Sequence, residues 1–393
     1  MTWSAKHRTP MRRKTGEPKL RALRARPAYK YGFHSNPVTA TYRHPSLDGG
    51  SVPNATPVVS LFAGCGGMDL GFLGGFQFLG RTYEALPFEI LDAIDIDEKS
   101  IQTYRLNIGS HGRVGDLTKI APAELPPCRV LIGGFPCQDF SSSGPKVGLA
   151  GARGQLYQVL VDYMKAHQPE VVVAENVPHL QRLNNGEYLK TILADFEACG
   201  YDFDVWELYG PEYGLPQSRR RLFLVGVRFD VIGRPACPSP THRHVYVSVD
   251  EALKDLETIT DETVPNQSQY FVATKATAGG GQGDHTNRRG EPAYCIRANA
   301  KARIQFHYSL ERRLTVRECA RLQSFPDEFV FPFFAMNAMT QIGNAVPPLL
   351  GHHVAKAIAD FLTGEVKTTA SARLIKRRKA EQIDLFSAIG ADS

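Results

Sequence analysis

Short, continuous apolar runs, each followed within two residues by glycine or a carboxylate, set the pattern of this chain. Val58-Val59-Ser60-Leu61-Phe62, Phe88 to Ile94, Arg129-Val130-Leu131-Ile132 and Pro169 to Ala174 show little polar alternation. That pattern predicts strands covered on both faces, as in a parallel sheet. Gln155 to His167 and Ile192 to Cys199 carry helical periodicity between and after them, and strand–helix alternation predicts an α/β fold. Phe203 to Trp206 and Leu222 to Val227 read as further strands. From about Gly233 the texture changes. Prolines at 235, 238 and 240, irregular polarity and Gly279-Gly280-Gly281 predict a second, smaller domain with long loops. Thr315 with Glu318 three residues on predicts a capped helix start. Gln341 to Pro348 reads as a turn feeding a last helix, Leu349 to Leu362, that returns to the first domain.

The residues that follow these strands carry the chemistry, because open α/β sheets bind ligands beyond the carboxyl ends of their strands. After the first strand, Ala63-Gly64-Cys65-Gly66-Gly67 forms a turn whose glycines let a ligand approach the backbone, and the helix behind it presents free N–H groups. No GxGxxG is present, so a dinucleotide is not implied. Asp95, ending the second strand, suits the hydroxyls of a ribose, with an ordinary surface aspartate as the alternative. Asp116 stands at a further strand end where an adenine amino group can be met. Cys137 lies in Gly134-Phe135-Pro136-Cys137-Gln138-Asp139-Phe140-Ser141. A buried structural thiol is the commoner fate of free cysteine, but this polar setting predicts a reactive one. Glu175 closes the Pro169–Ala174 run, where a carboxylate is costly unless bonded or functional. Arg219 and Arg221 fall on one face if a strand begins there. They suit an anion or a base edge, with exposed edge charges as the alternative.

Charge changes the picture by its distribution. The net charge is +6, yet residues 1–56 hold eleven Lys/Arg against Glu17 and Asp48, and residues 364–393 carry a net of +2. Residues 57–363 are therefore acidic by −5. The N-terminal segment reads as a disordered or loosely docked basic tail. Within the acidic part, residues 275–313 carry a local net of +5, equally a footprint for nucleic acid or a solvated surface. Seven cysteines form no CxxC pair and no zinc spacing, which predicts reduced thiols and no metal. With no signal-peptide pattern and no apolar run of membrane length, the expected place is the cytoplasm, at the nucleoid in a bacterium.

Six ordered blocks then carry a resemblance: Leu61-Phe62-Ala63-Gly64-Cys65-Gly66-Gly67, Gly134-Phe135-Pro136-Cys137-Gln138, Glu175-Asn176-Val177, Gln217-Ser218-Arg219-Arg220-Arg221, Arg317-Glu318-Cys319-Ala320-Arg321-Leu322-Gln323-Ser324-Phe325-Pro326 and Gly343-Asn344-Ala345-Val346. The chain resembles the cytosine-C5 DNA methyltransferases over roughly residues 57–363. The resemblance implies a Rossmann-like S-adenosylmethionine-dependent methyltransferase sheet (57–240 with 336–363), a target-recognition domain (241–335) and two tails (1–56 and 364–393). It implies Cys137 as the nucleophile at cytosine C6, Glu175 at N3, and Arg219 and Arg221 at O2 and a phosphate. Pro136, Gln138, Ser141 and Gln217 belong to the loop and substrate side, with the loop from Gln138 to Arg153 closing over a flipped base. Phe62, Gly64 and Gly66 are assigned to the methionine part of S-adenosylmethionine, Asp95 to its ribose and Asp116 to its adenine, with Asn344 nearby. Asp139 after Gln138 departs from the family pattern without touching the core motif. The implied partner is duplex DNA, bound by a monomer at one short sequence within a restriction-modification system. Gln382-Ile383-Asp384-Leu385-Phe386 is similar to the pentapeptide that docks bacterial proteins on the replication sliding clamp. The rivals are a tRNA cytosine-C5 methyltransferase and a catalytically inactive DNA-binding regulator. An amino-methyltransferase is disfavoured by Pro136-Cys137-Gln138.

Overall fold

The apolar runs become neighbouring strands of one sheet. The computed structural model describes residues 54–136, 156–268, 284–298 and 305–364. In chain order come β1 (Thr56–Leu61), α1 (Gly67–Leu73), β2 (Phe76–Phe78), β3 (Arg81–Tyr83), β4 (Phe88–Asp95), α2 (Glu98–Asn107), β5 (Gly112–Val114) and β6 (Val130–Gly133). They are followed by α3 (Gln158–His167), β7 (Val171–Asn176), α4 (Glu187–Ala198), β8 (Tyr201–Tyr209) and β9 (Arg220–Arg228). The remainder comprises α5 (Val249–Leu253), β10 (His285–Thr286), β11 (Gln305–Phe306), α6 (Val316–Leu322), α7 (Ala335–Asn344) and α8 (Pro348–Thr363).

Seven strands form the main sheet in the order β5-β4-β1-β6-β7-β9-β8. The first five positions in that order pair in parallel, while β9 runs antiparallel to both β7 and β8. Alternate residues supply two separate cores, as strands covered on both faces require. Val58, Val130, Ile132, Val171 and Val173 join the cluster that includes α1, α8 and α6. Val59, Leu131, Val172 and Ala174 join the one under α3 and α4.

This topology positions the site. The chain leaves β1 towards β4 on one side, and β6 lies on the other, so the crevice at their carboxyl ends is a topological switch point. Because β9 is reversed, its amino end comes to the same edge, bringing Arg219 and Arg221 beside Glu175 at the end of β7. The structure corrects two details. Gln341 to Asn344 ends the helix α7 rather than opening a turn, and β8 is longer than the run from Phe203 to Trp206. The short β2–β3 hairpin has no counterpart in the expected elements.

Candidate active site

A cavity of about 750 Å³ opens at that switch point. Its wall is built from the turn after β1 (Phe62 to Cys65, then Gly67 to Asp69), the end of β4 (Asp95 to Asp97), the end of β6 (Gly134 to Pro136) and the end of β7 (Glu175 to Val177). Arg219 and Arg221, the segment 295–298 and the end of α7 complete it. The strand ends that the sequence singled out therefore converge on one space.

Glu175 is buried there and paired with an arginine. Burial pushes its carboxyl above the usual carboxylate range, and the Arg221 and Arg219 guanidiniums pull against that rise. Arg221 Nε is 2.8 Å from Glu175 Oε1. The two residues lie diagonally across the antiparallel β7–β9 pair, where Glu175 faces Phe223, so sheet register places them on one face. Asn176 Nδ2 donates to the carbonyl of Phe135 at 3.1 Å, and its Oδ1 accepts from Val177 N at 2.8 Å. That side chain ties the end of β7 to the segment immediately before Cys137.

On the other side, Phe62 and Gly64 are held in the left-handed region, at φ 59 and φ 57. Asp95 braces this turn, accepting from Gly64 N at 2.8 Å and from Asp97 N at 2.8 Å. Burial raises the Asp95 carboxyl, and these backbone donors oppose the rise. A side chain at Gly64 would find nothing within 4 Å, so the turn leaves open space for a ligand. A cavity with a carboxylate at the end of β4 and open backbone above a glycine turn fits a nucleoside carrying an amino-acid arm, which is the shape of S-adenosylmethionine.

Residues 56–360 match the model of the family described as C-5 cytosine-specific DNA methylase. The chain is 35% identical over 377 residues to the Type II methyltransferase M.NgoFVII of Neisseria gonorrhoeae, covering 86% of this chain and 96% of that protein. It is 30% identical to the Type II methyltransferase M.FnuDI of Fusobacterium nucleatum, covering 80% and 98% of the respective chains. The chain belongs to the C5-methylase family. Solved structures agree in fold: a prophage-encoded E. coli protein superposes with a TM-score of 0.62 at 22% identity over 79% of this chain and 100% of that one. The S. pombe Dnmt2 methyltransferase superposes with a TM-score of 0.55 at 17% identity, covering 78% of this chain and 99% of its own. Family and fold together imply S-adenosylmethionine as the methyl donor.

In this C5-methylase, Phe62, Gly64, Asp95, Pro136, Glu175, Arg219, Arg221 and Asn344 all line the cavity. Three expected site residues stand elsewhere. Gly66 caps α1 at φ 89, and a Cβ there would overlap Ile108 and Tyr104, so helix packing requires this glycine. Asp116 is away from the wall, its carboxylate held by Thr118 and Lys119. Gln217 is fully buried, donating to Leu322 O and Gln323 Oε1 and accepting from Ile296 N. It is a strut that holds 295–298 against the chain after α6. Arg219 is also partly a strut, since its Nη1 and Nη2 donate to the carbonyls of Ile296, Gly343 and Ala345. Cys137, Gln138 and Ser141 lie outside the described residues, as do residues 1–53 of the tail 1–56, parts of the basic segment 275–313 and the pentapeptide Gln382–Phe386.

Sequence reasoning assigned no role to Asp69, to the segment 295–298, or to Asn176 and Gln341, which it quoted only within longer stretches. Asp69 had a signal, being a lone carboxylate within Met68-Asp69-Leu70-Gly71-Phe72. The segment 295–298 had none, because only the tertiary fold brings it to the sheet edge.

Proposed function

We propose that this methylase adds Cys137 to C6 of a cytosine flipped out of duplex DNA and methylates C5 from S-adenosylmethionine. The observation that carries this reading is a buried glutamate, braced by arginine, sharing one cavity with the glycine turn and with the residues immediately before Cys137. Cytosine C5 is too weak a nucleophile to take a methyl group unaided, and a thiolate at C6 turns the ring into an enamine-like nucleophile. Glu175, its carboxyl raised by burial, holds a proton towards N3 as the thiolate adds and contacts the exocyclic amine that distinguishes cytosine. Arg221 orients Glu175 and, with Arg219, offers positive charge to O2. The bound cofactor supplies an electrophilic methyl group. Asp95 receives the ribose hydroxyls, while Phe62, Gly64 and Asn344 border the methionine arm. Removal of the C5 proton by a base then releases Cys137 by elimination. A stacked base cannot reach such a pocket, hence the flip.

Residues 241–335 are read as the target-recognition part, with the basic segment 275–313 meeting phosphates. Tritiated methyl transfer to duplex DNA and not to tRNA is expected, and label in tRNA alone would overturn the DNA reading. Cys137→Ala is expected to abolish transfer. A duplex containing 5-fluorocytosine, whose fluorine blocks the last elimination, should yield a Cys137–DNA adduct detectable by mass spectrometry. Glu175→Gln should lower the single-turnover methylation rate by about 10²–10⁴-fold while S-adenosylmethionine binding is kept. For Gln382–Phe386 the proposed partner is the sliding clamp, and clamp capture that survives deletion of residues 382–386 would refute it.

A further inference from the structure

The mechanism leaves a buried carboxylate of the cavity unused. Asp69 is fully buried in the first turn of α1 and lines the cavity. Its two oxygens accept from neutral donors, Ser60 Oγ at 3.0 Å and Tyr104 OH at 3.0 Å. Tyr104 in turn meets His111 Nε2 at 2.8 Å. The cavity is also divided by charge. Between Phe62 and Ser100 its wall contributes Asp69, Asp95 and Asp97 and no Lys or Arg, whereas Arg219, Arg221 and Arg297 line it from the later segments. A buried carboxylate with only neutral hydrogen-bond partners strongly attracts a cation in the adjoining space.

We propose that the Asp69 carboxylate is the counter-charge that holds a cationic centre of the methyl donor in this cavity. The inference rests on reading the cavity as the S-adenosylmethionine site. That ligand carries two such centres, the α-ammonium and the sulfonium. Burial has pushed the Asp69 carboxyl up to about 6, so donor binding is linked to proton release near that pH. The other ionisable groups around it are accounted for. Cys65 is buried with its thiol raised by burial, and Asp95 and Asp97 are engaged by backbone and capping bonds. Asp92 is paired with Arg113, and burial lowers His111. On α8, packed against α1, His352 bonds the Glu84 carbonyl, His353 packs on Tyr213, and Lys356 pairs with Glu84 and Asp360.

The test is calorimetric binding of three ligands between pH 5 and pH 8 to the wild-type chain, Asp69→Asn and Tyr104→Phe. The ligands are S-adenosylmethionine, S-adenosylhomocysteine and its deaminated analogue, which has neither cation. Wild-type affinity for S-adenosylmethionine should fall about tenfold between pH 7.5 and pH 5, and the deaminated analogue should show no such fall. Asp69→Asn should bind with the weak, low-pH affinity throughout. Tyr104→Phe, which removes a donor to the carboxylate, should move the midpoint to higher pH. A fall shared by S-adenosylhomocysteine assigns the ammonium, and one confined to S-adenosylmethionine assigns the sulfonium. Equal pH profiles for the wild type and Asp69→Asn, or for all three ligands, would overturn the role of Asp69 alone. Failure of every ligand to bind wild type would overturn the donor-site reading and this inference together.

Discussion

Asp69 and Arg219 show how single side chains at this site divide between holding a ligand and holding the fold. Burial pushes the Asp69 carboxyl up to about 6 in the folded chain, from the ordinary carboxylate value of 3.8. The folded state therefore binds this proton more tightly than the unfolded state does. Its stabilising effect is complete below the unfolded pKa and is lost as pH rises through the folded one. At neutral pH the buried charge costs at most about 3 kcal/mol. Asp69→Asn is accordingly expected to stabilise the ligand-free protein by about 1–3 kcal/mol at pH 7 and by little at pH 4, as measured by urea unfolding. Arg219 acts in the opposite sense. Its carbonyl partners Ile296, Gly343 and Ala345 are 77, 124 and 126 residues away in sequence. A lysine cannot reach three carbonyls with one fork, so Arg219→Lys should cost about 2–4 kcal/mol in the same assay. Arg219 was legible as a charged residue at a sheet edge. Its bracing role was not, since nothing near it in sequence reveals where its partners lie.

At the scale of elements, legibility followed how local each cause was. The strand runs and the carboxylates ending them were readable because burial on two faces and position at a strand end are written in adjacent residues. The reversal of β9 was not, although it alone brings Arg221 to Glu175. Glycines misled in a specific way. Gly343 suggested a turn, but it lies within α7, where a Cβ would meet Ala298 N at 2.2 Å and Arg297 C at 2.3 Å. Close approach of the 297–298 backbone requires it, so the glycine helps shape the cavity wall. Gly71 does the same for the α1–α8 contact, where a Cβ would lie 2.6 Å from Pro348 O and 2.7 Å from Gly351 Cα. Gly71→Ala should therefore destabilise the protein by about 1–3 kcal/mol, seen as a lower urea midpoint with unchanged slope.

At the scale of the whole molecule, the α1–α8 contact joins the first βα unit to a helix some 280 residues later. Residues 348–363 are thus part of the core that contains Val58 and Phe72, not an appendage. A chain ending at Gly364 should unfold cooperatively, whereas one ending at Pro347 should lose that transition in calorimetry.

The same contact bears on how the enzyme comes into being during translation. Of the described elements β1 is made first, yet α8, the helix that covers its neighbour α1, is made last. A nascent chain carrying the glycine turn, Glu175 and both arginines still lacks the wall contributed by α7 and the cover contributed by α8. Ribosomes that stall or terminate before residue 348 should therefore release no partly active methylase, and modification of the genome should track the number of completed chains.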